Sequence, residues 1–279
     1  KSMSIELGKF NTLEVVKTVD FGVYLDGKEE GEILLPTRYV PENCVPGDLL
    51  NVFLYLDNEE RLIATTLTPL VQVGEFACLE VAWVNEFGAF LNWGLMKDLF
   101  VPFREQKMKM QVGKSYVVHA HIDEESYRIV ASAKIERYLS KETPTYQAGA
   151  EVDILIWQKT DLGFKAIIDQ QFPGLLYDSE IFQSLRTGMT LKAFVKQVRP
   201  DGKIDLILQK PGAAKVDDFA SSLLDYIKEH GGAVKLNDKT PADDIYQIFG
   251  VSKKTFKKAV GDLYKKHLIV LTDNGLKLA

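Results

Sequence analysis

Two kinds of side chain in this sequence sit at spacings that could do chemistry. The first is aromatic: Phe21-Gly22 is followed by Tyr24, and Phe87-Gly88 by Phe90. A glycine between strand residues lets the chain bend or bulge, which turns both flanking rings to one side of a sheet. Flat rings on a shallow β-surface accept unstacked bases at about 1–3 kcal/mol each, whatever the base. The second kind is cationic: Lys253, Lys254, Lys257, Lys258, Lys265 and Lys266 lie close together with Asp262 as the single acid among them. Clustered ammonium groups make phosphate contacts, as point charges with little base selectivity. No arginine follows Gly212, so that region has no bidentate reader of guanine.

Catalytic chemistry finds less material. His119 and His121 alternate on one strand, with no cysteine or further histidine near them in sequence, whereas zinc sites use three or four ligands. No Gly-x-x-x-x-Gly-Lys-Ser/Thr phosphate cradle occurs. The acids Glu29-Glu30, Glu59-Glu60 and Asp123-Glu124-Glu125 fall in turns, where carboxylates are ordinarily solvated. The expectation is a binding protein with no catalytic residue, cofactor or metal. Cys44 and Cys78 are too few for a disulfide framework and read as barrel interior, which favours a reducing cytoplasm. No apolar run approaches the ~20 residues of a membrane span, and Lys1 to Leu7 lacks a signal-peptide core.

The elements that must position these residues are announced by a glycine ruler. Gly8, Gly22 and Gly47 are separated by 14 and 25 residues; Gly74, Gly88 and Gly113 repeat both spacings, and so do Gly149, Gly163 and Gly188. Repeats of this kind set the architecture. Between the glycines, Val- and Ile-rich stretches such as Glu14–Val19 and Lys192–Val198 alternate with period two. Each unit ends on a strand with a basic residue at its mouth: Arg61, Arg128 and Lys203. Five short strands in about 60 residues suit a small closed barrel without exposed edges.

The strings Phe87-Gly88-Ala89-Phe90-Leu91, Phe21-Gly22-Val23-Tyr24-Leu25 and Leu162-Gly163-Phe164-Lys165-Ala166 resemble the RNA-binding S1 motif. That resemblance implies OB-type barrels presenting two aromatics around the glycine, an aromatic or histidine on the next strand, and a late acid-x-x-x-basic pair. The first copy offers Phe21, Tyr24 and Asp57…Arg61, with Leu35 at the histidine position; the second offers Phe87, Phe90 and Glu124…Arg128, with Val101 there. The third departs with Leu162 and Lys165, then supplies Tyr177 and Arg199…Lys203. Charge separates the copies. Residues 4–69 carry 5 basic and 12 acidic groups, net −7; residues 71–139 carry 8 and 9, net −1; residues 148–212 carry 8 and 8, net 0; residues 213–279 carry 11 and 9, net +2. Acid repels phosphate, so Phe21, Tyr24 and Arg61 form a subordinate set and the first barrel is read as a spacer or protein contact.

After Pro211-Gly212 the period changes to 3.6. A helix capped by Asp217 carries Phe219, Leu223, Leu224 and Ile227 on one face and ends at Gly231-Gly232. A second starts at Thr240-Pro241, with Asp243 and Asp244 at the positive end of its dipole and Ile245, Ile248 and Phe249 inward. Ser252 caps a third with Phe256, Ala259, Val260 and Leu263 inward, and a hairpin turns at Thr272-Asp273-Asn274-Gly275, where Asn274-Gly275 is a tight-turn signal. This order is similar to the winged-helix family, whose third helix commonly contacts nucleic acid. The sequence therefore predicts a mainly β multidomain chain of three tandem S1-type OB-fold five-stranded barrels (1–69, 70–139, 148–211), a linker at 140–147, and a C-terminal winged-helix domain at 212–279. That architecture resembles the bacterial conserved virulence factor B family, which implies RNA binding and a regulatory role. The expected surface joins Phe87, Phe90, Arg128, Lys165, Tyr177, Arg199 and Lys203 to Lys253, Lys254, Lys257, Lys258 and Lys265. The expected partner is single-stranded RNA; duplex DNA on the winged helix, or a protein docked on the barrels, are the alternatives.

Overall fold

A computed structural model describes residues 4–181, 183–209 and 215–279. Three closed barrels follow one another. The first comprises β1 (Phe10–Val19), β2 (Gly22–Asp26), β3 (Glu32–Pro36), β4 (Leu49–Leu56) and β5 (Leu62–Thr65). The second comprises β6 (Phe76–Val84), β7 (Gly88–Leu91), β8 (Leu99–Pro102), β9 (Ser115–Ile122) and β10 (Ile129–Ser132). The third comprises β11 (Glu151–Lys159), β12 (Gly163–Ile168), β13 (Phe172–Tyr177), β14 (Thr190–Val198) and β15 (Ile204–Ile207). Around each barrel the fifth strand lies between the third and the fourth, pairing parallel to the third. The chain is thus mainly β, with OB-type barrels of S1 kind.

The middle glycine of the ruler has a steric cause. At Gly22, Gly88 and Gly163, φ is +153°, +157° and +152°, and an added Cβ would lie 2.1, 2.3 and 1.8 Å from the carbonyl oxygens of Leu35, Val101 and Leu176. The neighbouring strand passes where a side chain would stand, so only glycine fits. The first strand of each barrel also shifts register, at Val16, Ala82 and Trp157. These bulges let a long strand curl around a small barrel.

The chain forms two compact units, Lys1–Ser140 and Lys141–Ala279. In the first, the two barrels share apolar packing. Val52 and Leu54 enter the core of barrel 1, while Phe53 and Tyr55, on the other face of β4, join the core of barrel 2. The Phe53 ring lies edge-on to Trp93 at 5.6 Å. A backbone bond from the Val73 N–H to the Gly8 carbonyl (2.9 Å) ties the barrels further. This double burial accounts for the unbroken apolar run Val52-Phe53-Leu54-Tyr55, which a half-solvated strand would not carry.

In the second unit, barrel 3 has its own core around Ile154, Ile156, Val195 and Leu206. The winged helix has another. Its elements are α1 (Lys215–Glu229), β16 (Ala233–Val234), α2 (Ala242–Phe249), α3 (Lys253–Lys265), β17 (Ile269–Thr272) and β18 (Gly275–Leu278), the last pairing with both β16 and β17. Ala220, Leu223, Ile227, Ile245, Phe256, Ala259 and Leu263 fill this core. Several expectations change here. The described helix α1 begins at Lys215, so Asp217 lies within it and is not its cap; the expected break at Pro211–Ala214 lies outside the described residues. Ile248 is exposed, because α2 turns only Ile245 fully inward. The strand β16 had no signal in a two-residue stretch. The hairpin pairs Thr272 with Gly275, so the turn spans Thr272–Gly275 as expected, with Asp273-Asn274 rather than Asn274-Gly275 at its two central positions. Gly275 is needed instead for close approach, since a Cβ there would lie 1.9 Å from the Val234 carbonyl oxygen. Among the described residues no helix is long and apolar enough to cross a membrane. Cys44 and Cys78 are unpaired and half-buried, and burial raises both thiol pKa values.

Candidate nucleic-acid interface

Barrel 2 presents a groove of about 750 Å³ bordered by both barrels of the first unit. Its β-surface is aromatic. Pairing of β6 with β7 sets Trp83 opposite Phe90, and β7 with β8 sets Phe90 opposite Phe100. The Trp83 and Phe90 rings lie parallel, 3.8 Å apart at 2°, and Phe100 follows at 4.9 Å. Trp83 remains 45 % exposed and Phe87, beside the glycine bend, 65 %. Solvent therefore meets two large rings, one of them backed by a ready-made stack. Neither Phe87 nor Phe90 belongs to the buried core. Sequence reasoning missed Trp83, because its place opposite Phe90 depends on the bulge at Ala82.

The polar rim of this groove is already engaged. Arg128 forms an ion pair with Glu60 of barrel 1. Lys97 Nζ donates to the Asp57 carbonyl at 2.9 Å; burial first, and then the Arg128 charge, hold its amine below the ordinary lysine value. Arg104 pairs with Asp123 at 3.2 Å. The acid expected to precede Arg128 by four residues, Glu124, does not fill that place. The Asp123 N–H bonds the Arg128 carbonyl as the Asp57 N–H bonds that of Arg61, so the hairpin of barrel 2 is one residue longer.

On the third strand of the first two barrels, the outward position is one residue beyond the one expected. Leu35 and Val101 are fully buried, because they pair with Val23 and Ala89 and point into the barrels. The register partners of Gly22, Gly88 and Gly163 are Pro36, Pro102 and Tyr177. Tyr177 thus holds the expected place in barrel 3, and prolines hold it in the other two.

Barrel 1 carries the sparser version of the face. Phe21 is 56 % exposed and meets Tyr24 edge-on at 6.2 Å. Lys17 lies over Tyr24 at 5.0 Å but is paired with Glu32 at 2.8 Å, and Arg61 is held by Asp57 and Glu59 at 3.1 and 3.0 Å. Its cations therefore have carboxylates at hand, in line with the net −7 of residues 4–69.

Barrel 3 lacks the rings of barrel 2 and carries one cation, Lys165, among the residues that replace them. Gln158 stands opposite Lys165, where barrel 2 has Trp83 and Phe90, and exposed Leu162 stands for Phe87. Lys165 lies 5.3 Å over the Trp157 ring. The Arg199 guanidinium bonds the Tyr177 hydroxyl and pairs with buried Asp205 at 3.0 Å, which also accepts from Gln197 at 2.7 Å. This bracing orders Arg199 and Tyr177 on one face, with Lys203 exposed near them in the β14–β15 hairpin.

On the winged helix, Ser252 caps α3 by accepting from the Thr255 N–H at 3.2 Å. Phe256, Ala259 and Leu263 face the core. Lys254, Lys257, Lys258 and Lys265 are exposed and Lys253 half-buried, as the 3.6 period requires. Among the described residues an acidic partner stands beside Lys266, 3.0 Å from Asp262, and beside none of those five.

His119 and His121 lie parallel at 6.2 Å, with Tyr138 stacked on both at 4.2 and 5.0 Å. Burial drives the His119 pKa down to about 4, against a hydrogen bond to the Gly74 backbone that favours the charged form. The pair is part of the packing of barrel 2 and does not border the groove.

Residues 7–67 match the S1 domain family, and residues 221–278 match the CvfB-like winged helix domain. The chain is 30 % identical over 276 residues to the protein YitL of Bacillus subtilis, covering 95 % of this chain and 91 % of that one. It is 21 % identical over 272 residues to conserved virulence factor B of Staphylococcus epidermidis, covering 94 % and 91 %. A solved structure from Streptococcus pneumoniae, described as a multidomain protein with nucleic acid binding domains, aligns over 98 % of both chains at 24 % identity with a TM-score of 0.45. Three S1-type barrels, the matched winged helix and a relative that shares nearly the whole length place this chain in the conserved virulence factor B family.

Proposed function

We propose that this chain binds single-stranded RNA with little overall sequence preference and acts as a post-transcriptional or regulatory factor in the cytoplasm. The work is divided. Barrel 2 stacks bases on Trp83 and Phe87, with Phe90 and Phe100 behind Trp83. Lys165, Arg199 and Lys203 of barrel 3, with Tyr177, and Lys253, Lys254, Lys257, Lys258 and Lys265 of α3 hold phosphates. The observation that carries this reading is the parallel Trp83–Phe90 stack with an exposed outer ring, next to an exposed Phe87. Exposed aromatic platforms suit unstacked bases, which single strands offer and duplexes do not. The names of the Staphylococcus relatives associate the family with virulence, which is compatible with a regulatory RNA-binding role.

The test is titration of labelled single-stranded RNA and duplex DNA against the full chain across a salt series. Single strands are expected to bind more tightly. Replacing Lys254, Lys257 and Lys258 by alanine should make the slope of log affinity on log salt shallower by about 2, since each single-strand phosphate contact contributes about 0.7. A preference for duplex would move the function to the winged helix on DNA. No binding of either nucleic acid below about 100 μM would leave a protein-docking scaffold, with acidic barrel 1 as the contact.

A further inference from the structure

The groove of barrel 2 contains a carboxylate that stacking and phosphate contact leave without a use. Asp98 is half-buried, and its Oδ2 accepts the indole N–H of Trp83 at 2.9 Å. Each cation bordering the groove is turned to another partner: Lys97 to the Asp57 carbonyl, Arg104 to Asp123 and Arg128 to Glu60. Among the described residues, no cation is paired with Asp98. Its carboxylate is held at the edge of the ring whose exposed face would receive a base.

We infer that Asp98 is a specificity-determining residue, which makes the barrel 2 groove favour cytosine, with its exocyclic amine at position 4, over uracil. This rests on the stacking role proposed above and adds to it one discriminating position within an otherwise tolerant surface. The indole N–H lies in the plane of its ring and fixes one carboxylate oxygen there; the second oxygen has lone pairs to offer toward the edge of a base in the adjacent layer. An ionised carboxylate only accepts hydrogen bonds. Cytosine presents an amine donor at position 4, whereas uracil presents a carbonyl oxygen there, as thymine does. The first gives a charge-assisted bond, and the second sets two electron-rich oxygens against each other. The two pyrimidines share ring size and backbone charge, so stacking and phosphate terms cancel in the comparison.

Fluorescence anisotropy of labelled hexacytidylate and hexauridylate with the full chain at fixed salt tests this. Wild type is expected to bind the cytosine strand about fivefold more tightly or better, the lower end of the discrimination that one good base contact gives. Asp98→Asn keeps an oxygen for the Trp83 N–H and offers an amide donor to the uracil carbonyl, so the gap should close or reverse. Equal affinities in wild type, or a gap that survives Asp98→Asn, overturn the inference. Trp83→Ala separates it from its foundation. If wild type binds both strands equally and Trp83→Ala weakens both, base reading by Asp98 is wrong and stacking stands. If neither strand binds, or Trp83→Ala changes neither affinity, the stacking role falls as well.

Discussion

Barrels 2 and 3 use one backbone to build two different faces. Both have the first-strand bulge, the glycine under a partner-strand carbonyl, and the same strand order. At matching places barrel 2 has Trp83, Phe87, Phe90 and Phe100, and barrel 3 has Gln158, Leu162, Lys165 and Leu175. Late in the barrel, Arg128 is occupied by Glu60, whereas Lys203 is exposed in its hairpin. Closing the barrel constrains the glycines and the inward residues, and leaves outward positions on the first three strands free to take up stacking or charge. Net charge follows the same division, from −7 in residues 4–69 to +2 in residues 213–279.

Three experiments test whether the two barrels share a backbone rule and differ in their faces. The largest effect is expected where the barrels are alike. Gly88→Ala and Gly163→Ala would each put a Cβ within 2.3 and 1.8 Å of a carbonyl oxygen, and each should destabilise its barrel by about 3 kcal/mol or more. Amide exchange, resolved by strand, would measure this; a barrel that tolerates alanine removes the shared steric rule.

The next effect should separate them. His119 is buried with its pKa held at about 4, below its value of about 6.5 in the unfolded chain. The folded state therefore favours the neutral ring, and its contribution is complete above pH 6.5 and is lost as pH falls toward 4. At pH 5 barrel 2 should have lost about 2 kcal/mol relative to pH 7, while barrel 3, whose residues 148–212 contain no histidine, loses nothing by this route. Exchange rates at the two pH values, with His119→Phe as the control that abolishes the dependence, decide it. The smallest effect is functional. Trp83→Ala should cost about 1–3 kcal/mol of single-strand affinity with the salt slope unchanged, and Leu162→Ala should cost almost nothing. Equal losses at the two positions would show that the faces are not specialised.

Much of the architecture was legible in residue types. The glycine spacings marked three barrels because steric exclusion at Gly22, Gly88 and Gly163 admits no other residue. The helix periods and the Ser252 cap marked α3, because an amphipathic helix has to turn Phe256 and Leu263 inward and so exposes Lys254 and Lys258. Phe87 and Phe90 were legible for the same local reason, lying beside the bend. Register was less accessible. Leu35 and Val101 sit one residue from the outward position, and a slip of one residue in a strand reverses its face.

Features that depend on neighbours along the chain are written in residue order: glycine-only backbone conformations, strand and helix periods, and the drift from acidic front to basic end. Folding in three dimensions settled what depends on partners distant in sequence. It set Trp83 against Phe90 across a bulge, closed Glu60 onto Arg128 between barrels, and joined Asp98 to the Trp83 indole. The physical reason is that side-chain contacts across a sheet or between barrels are fixed by register and by packing on both faces of a strand such as β4, and neither can be read from local spacing.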